Sequence, residues 1–231
     1  GALKLTILFG LLFALVSLGF TDGLVSLFHL GDAETVKYAE SYMRITCGLV
    51  IFSYLTVVLT GIYTAQGDSK TPLIANLIGL VINMILDPVL ILGLGPFPRL
   101  QVIGAAAATV TAQFIVMLVM ILRARKDTEN ILTGMRINKP VERRFYRGVF
   151  RIGLPTAIQG TVYCMISMVL TRMGAVFGPG AVAVQRVGGQ VEAVSWNTAD
   201  GFAAAINAFS AQNYGAGRME RVRKGYRISL R

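Results

Sequence analysis

The sequence predicts an all-α fold, a polytopic helical membrane protein, and three observations carry that expectation. Its 231 residues are 54% hydrophobic and only 15% charged, where a soluble domain carries about 25% charged residues. The apolar residues fall in runs of about 20, the length a helix needs to cross the hydrocarbon core. The charges gather in the connections between those runs. Six spans follow, at roughly 5–28, 38–65, 71–94, 102–123, 147–174 and 179–212, with a seventh beginning near Arg218.

The connections orient the spans. "RARKDTENILTGMRINKPVERRFYR" carries Arg123, Arg125, Lys126, Arg136, Lys139, Arg143, Arg144 and Arg147, and "NYGAGRMERVRKGYR" carries Arg218, Arg221, Arg223, Lys224 and Arg227. "GAVFGPG" has no charge, "LGPFPRL" has only Arg99, and "GDAETVK" is net acidic. The positive-inside rule therefore places Gly1, the 66–70 turn, the 123–147 loop and the 213–227 stretch in the cytoplasm. The net charge of +10 is explained by these loops, so nucleic acid is not an expected partner; the lipid bilayer is. Cys47 and Cys164 lie in apolar runs without metal-ligand spacing and are expected to be buried thiols. No small-residue cleavage site follows the first apolar run, so no signal peptide is expected. The 123–147 loop is the longest connection and the candidate boundary between two helical bundles.

The informative residues are the polar ones inside the spans. In "VINMILDPVL", Asn83 and Asp87 are four apart and share one helix face, and Asn76 falls on nearly the same stripe. If that span starts near Pro72, Asp87 stands ~22 Å along it, in the outer half of the membrane. A central charge costs about 2.5–3.5 kcal/mol, so intramembrane acids tend to face cavities that serve ions or substrates. Pro88 has no N–H and frees the carbonyl of Met84. Amide, carboxylate and carbonyl oxygens together suit Na⁺, and the carboxylate alone can take a proton. The rival reading is a helix kink whose acid bonds a neighbouring helix.

The fifth span opens with Pro155, suited to a first turn or a kink, and Gln159, Tyr163 and Ser167 then share a face. Gln159 reads either as interhelical glue or as a ligand. In the sixth span Gln185, Glu192 and Trp196 form a polar and aromatic stripe able to line a cavity for a cationic, aromatic guest. Arg186 is placed to snorkel or to pair with Glu192. Asp22 and His29 are expected at the outer interface, and Arg44 is expected to snorkel or to bond a neighbouring helix. No Walker motif, Ser/His/Asp set or H-E-x-x-H helix is present, which argues against ATP-driven transport and against an enzyme.

The segments "GIYTAQGDSKTPLIANLIGLVINMILDPVLILGLG", "VIGAAAATVTAQ", "RIGLPTAIQ" and "SAQNYGAGRMERVR", in this order, resemble the multidrug and toxic compound extrusion (MATE) transporters of the MOP superfamily. The resemblance covers essentially the whole chain and implies a twelve-helix fold in two lobes around an alternating cavity. It makes residues 1–124 N-lobe helices 3–6, 125–146 the cytoplasmic interlobe loop, and 147–231 C-lobe helices 7–8 with the start of helix 9. Helices 1, 2 and 9–12 would then be partners from the same polypeptide, and the full-length protein a monomer. The DinF-like branch uses an Asn and an Asp four apart on helix 5, matched here by Asn83 and Asp87, with a helix 6 threonine, here Thr109 or else Thr111. It adds an aspartate from helix 1, outside this sequence. The other branch uses a helix 7 glutamate, where Gln159 stands here and cannot titrate. Gln101 occupies a position where the family usually has Gly.

What the resemblance implies is secondary antiport, the export of organic, cationic drugs or toxins in exchange for H⁺ or Na⁺ across the plasma membrane of a prokaryote. No cofactor is expected beyond that ion. Asp87, Asn83 and Thr109 would couple, Asp87 and Asn83 would hold any Na⁺, Pro88 and Pro155 would kink, and Gln159, Tyr163, Gln185, Glu192 and Trp196 would line the substrate cavity. The alternatives are a flippase of lipid-linked saccharide or peptidoglycan precursor in the same superfamily and, from another class, an ion channel or membrane scaffold.

Overall fold

The computed structural model describes residues 1–26, 33–96, 98–126 and 142–230. His29 and most of the long 123–147 connection, Arg136 and Lys139 included, lie outside the described residues. The described elements are helical, and the chain divides into two compact units, Gly1–Lys139 and Pro140–Arg231. That division falls inside the 125–146 connection.

The first unit holds α1 (Ala2–Gly19), α2 (Thr21–Ser26), α3 (Ala33–Gly48), α4 (Ile51–Ala65), α5 (Lys70–Leu92) and α6 (Gln101–Lys126). The first span stops at Phe20 rather than running on to 28, and the short α2 follows the break. On α1, Thr6, Gly10, Ala14 and Ser17 are the buried residues. They recur at three- and four-residue spacing, so small side chains line the face that packs on α3 and α4. Membrane helices associate through such seams because lipid supplies no hydrophobic drive between them. Arg44 on α3 pairs with Asp22 on α2 at 3.1 Å, which gives Arg44 its neighbouring-helix bond. Both side chains are more than half exposed, so the pair contributes little to stability.

α3 and α4 read as one span in the sequence but meet at a 43° bend between Gly48 and Ile51. Leu59 and Tyr63 of α4, Ala75 of α5, and Val116, Met117, Met120 and Ala124 of α6 form the buried core of this unit. The Tyr63 hydroxyl donates to the Met120 carbonyl at 2.8 Å, satisfying a phenol that would be costly to bury unpaired.

α5 begins on an aspartate. Asp68 accepts the backbone N–H groups of Lys70 and Thr71, each at 3.0 Å, and also the Thr71 hydroxyl. These bonds, the Thr71 hydroxyl foremost, hold its carboxyl below the ordinary value of 3.8, and nearby Arg123 at the end of α6 adds to the effect. Because the folded pKa is lowered, the cap is at full strength above the ordinary aspartate range and is lost as pH falls through the depressed folded value. Asp68→Ala is expected to cost about 0.5–2 kcal/mol at neutral pH. The deficit should shrink on acidification below the aspartate range, read from thermal unfolding in detergent at both pH values.

At its other end α5 closes on Gly93, whose φ of 73° is left-handed, and the Gly93 and Leu94 N–H groups both return to the Val89 carbonyl. This is the usual glycine stop of a helix. Leu100 then donates to the Leu90 carbonyl at 3.0 Å, which pulls the start of α6 against the end of α5. At Gly104 a Cβ would stand 2.6 Å from the Leu90 carbonyl carbon and oxygen. Only a glycine lets the two backbones meet this closely.

The second unit holds α7 (Arg143–Ala175), α8 (Pro179–Gly215) and α9 (Met219–Ser229). Pro88 and Pro155 both lie inside helices that continue through them. By length and composition α1, α5, α6 and α7 can each cross a membrane, and the α3–α4 pair adds a fifth candidate. α8, expected as the sixth span, is long enough at 37 residues. Among these candidates it is missing, because Gln185, Arg186, Gln190, Glu192, Asn197 and Asp200 interrupt its apolar run. Cys47 is half-buried and Cys164 is exposed, so neither is the buried thiol expected. The stretch of α7 around Cys164 is exposed throughout.

Candidate functional site

The site is assembled by helix periodicity. On α5, Asn76, Gly79, Leu80 and Asn83 recur at intervals of three and one and so share a face. On α6, Thr109, Ala112, Gln113 and Val116 do the same. With Thr56 of α4 these residues line one cleft of about 220 Å³. Gly79 sits directly against the Val116 side chain, and Val116 ties the cleft to the core that it shares with Ala75. Thr56, Asn76, Asn83, Thr109 and Gln113 supply hydroxyl and amide groups. The Thr56 hydroxyl is buried and has no hydrogen-bond partner among the described residues, an unmet polar atom of the kind that marks a place for water, an ion or a ligand. Asn76 is committed elsewhere through its Nδ2, which donates to the Pro72 carbonyl at 2.8 Å.

Asp87 lies one turn beyond the cleft. Asn83 Nδ2 donates to Asp87 Oδ1 at 3.4 Å, a distance at the long end for a hydrogen bond. Asn83 is therefore the link between the neutral, oxygen-lined cleft and the carboxylate. Thr109 faces this cleft, whereas Thr111 is exposed and is absent from the lining. The geometry thus distinguishes the two threonines that the sequence leaves as alternatives. No group of three or more His, Cys, Asp or Glu side chains able to hold a metal exists among the described residues. A single carboxylate beside neutral oxygens matches one proton or one monovalent cation better than a divalent metal, which draws several charged ligands.

The other sequence candidates lie in the second unit. Glu192 Oε1 accepts the Trp196 indole N–H at 3.0 Å, joining these two on one face of α8. Arg186 makes no ion pair with Glu192 among the described residues. Gln185 packs its amide oxygen beside Gly174 of α7. Tyr163 and Trp196 are 73% and 62% exposed, and Gln159 is exposed as well. Sequence reasoning passed over Thr56 and Gln113. Gln113 carried a usable signal, since it follows Thr109 by four residues as Asp87 follows Asn83. Thr56 carried none, because the contact of α4 with α5 and α6 is not written in its spacing.

The comparisons with known proteins agree with this architecture. The MatE family profile matches residues 2–89, a range that contains Asn83 and Asp87. The chain is 30% identical over 232 residues to the probable multidrug resistance protein YoeA of Bacillus subtilis, covering 99% of this chain and 50% of that one. The chain belongs to the MATE family. This MATE chain is also 29% identical over 242 residues to an FAD transporter of Shewanella oneidensis, covering all of this chain and 50% of that one. Its fold matches a crystal structure of MATE in the straight conformation with a TM-score of 0.81 at 25% identity, over 99% of this chain and 50% of the other. The MATE chain thus spans about half the length of the curated relatives it matches.

Proposed function

We propose that the transporter containing this chain exports organic cations across the plasma membrane of a prokaryote in exchange for H⁺ or Na⁺. The observation that carries the proposal is the single carboxylate of Asp87, one turn beyond the oxygen-lined α4–α5–α6 cleft and bonded to the cleft residue Asn83. Asp87 is the coupling group, with Asn83, which donates to it through Nδ2, and Thr109 of the cleft as its polar partners. Gln159 cannot titrate, which favours coupling in the first unit and the DinF-like branch of the family. Relatives named for multidrug resistance support drugs or toxins as cargo, and Glu192 beside Trp196 suits a cationic aromatic guest. One charge crossing 100 mV is worth about 2.3 kcal/mol, and one pH unit adds about 1.4. The potential cancels when a monovalent organic cation leaves for each ion that enters, so one pH unit sustains about one decade of substrate gradient. A second ion per cycle would add the potential.

The test reconstitutes the full-length transporter in vesicles and imposes a pH or Na⁺ gradient. One of the two gradients is expected to drive a fluorescent organic cation against its own gradient, with counter-movement of the ion. Flux indifferent to both gradients overturns antiport. Coupled flux of FAD with none of organic cations keeps the coupling and replaces the cargo.

A further inference from the structure

We propose that the exposed face of α9 binds the anionic headgroups of the cytoplasmic leaflet, which makes this helix a lipid-sensing contact of the second unit. The positive-inside pattern puts the 213–227 stretch, and with it α9, at the cytoplasmic surface. α8 has 37 residues and so runs ~55 Å, whereas the hydrocarbon core takes up ~30 Å. Whichever part of α8 meets the core, its polar last turns, ending "SAQNYG", lead directly into this cation-rich stretch.

The chain then reverses. Gly217 takes a left-handed φ of 70°, and the Arg218 N–H returns to the carbonyl of the buried Asn213 at 2.8 Å. α9 runs back beside the end of α8. A Cβ on Gly225 would stand 2.5 Å from the Phe209 ring, and Val222 and Gly225 are the half-buried positions of α9. At 100° per residue Arg223 and Arg227 fall on the side of α9 opposite Gly225, with Lys224 between them and the α8 contact. All three are exposed, and they make no ion pair among the described residues.

Charge complementarity selects the occupant. From 218 to 230 there are five cations, Arg218, Arg221, Arg223, Lys224 and Arg227, against the single acid Glu220. Tyr226 and Leu230 lie at the flanks of the cationic face and are 62% and 70% exposed. Cations with an exposed tyrosine and leucine at their edge form the pattern of an interfacial helix, apolar atoms in the acyl boundary and charges among phosphates. Polybasic segments at the cytoplasmic surface draw anionic lipids in this way. A soluble anion would use the charges and leave Tyr226 and Leu230 without a role.

The test places a reporter on this face. In the full chain, Tyr226→Trp on a Trp196→Phe background is reconstituted into vesicles containing brominated phosphatidylglycerol or brominated phosphatidylcholine. Quenching should favour the anionic lipid by about fivefold or more. Arg223→Gln, Lys224→Gln and Arg227→Gln together should bring the ratio close to one, while Arg223→Lys with Arg227→Lys should keep it. Equal quenching by both lipids with the cations intact overturns the proposal. So does a preference that survives the triple glutamine variant, or an absence of quenching in either lipid.

Discussion

Asp87→Asn in the full-length transporter is expected to lower ion-driven export by at least about tenfold, one decade of the gradient a single coupled ion can sustain. Asparagine keeps the shape of the aspartate and can still pair with Asn83, so the α5–α6 contact should survive. What disappears is the charge, and with it the ability to take up and release a proton or to neutralise Na⁺. Vesicle transport under an imposed gradient measures the effect. Substrate binding without a gradient provides the control and should change far less. If Asp87 only bonds a neighbouring helix, the outcome differs: stability falls by about 1 kcal/mol while ion dependence stays intact. Asp87→Asn that exports at the wild-type rate, with the same dependence on pH and Na⁺, sinks the coupling assignment. Thr109→Val should weaken coupling, and Thr111→Val should not, because only Thr109 lines the cleft.

Gly104→Ala is expected to destabilise the α5–α6 hairpin by about 1–3 kcal/mol, the range for forcing extra volume into close packing. The added methyl meets the Leu90 carbonyl group at 2.6 Å, and backbone cannot move aside as a flexible side chain can. The shift would be passed to the end of α5, two residues beyond Pro88, so the site would loosen together with the fold. Three residues before Gly104, Gln101 predicts an effect of opposite sign. Its φ is 50°, a left-handed conformation that costs a residue with a Cβ about 1–2 kcal/mol. Gln101→Gly should recover about 1 kcal/mol of that. Thermal unfolding of the two variants in detergent should therefore move the midpoint in opposite directions. A Gly104→Ala protein as stable as wild type would show that the helices do not approach this closely.

The membrane class was legible because it depends on composition and on long-period patterns. Apolar runs near 20 residues and cation-rich connections survive any detail of packing. The Asn83–Asp87 pair was legible for a local reason: four residues on a helix is a distance, whatever surrounds it. The exact ends of the spans were less legible. α1 stops at Phe20 and the second span bends by 43°, because helix breaks in lipid follow neighbours and local polar bonds as much as apolar length. The polarity of α8 was visible as a candidate cavity stripe, yet the exposure of Tyr163 and Trp196 depends on which helices pack there.

The sequence by itself determined an all-helical membrane fold and the face shared by Asn83 and Asp87. Only the tertiary structure put Thr109 rather than Thr111 in the cleft lining, added Thr56 and Gln113 to it, and paired Arg44 with Asp22. It also gave Gln101 its meaning, through a φ that glycine would adopt without cost. The physical reason is the same in each case. Spacing along one helix fixes which residues share a face, but which faces meet depends on the fit between helices, and the close approach at Gly104 is what brings α6 against α5.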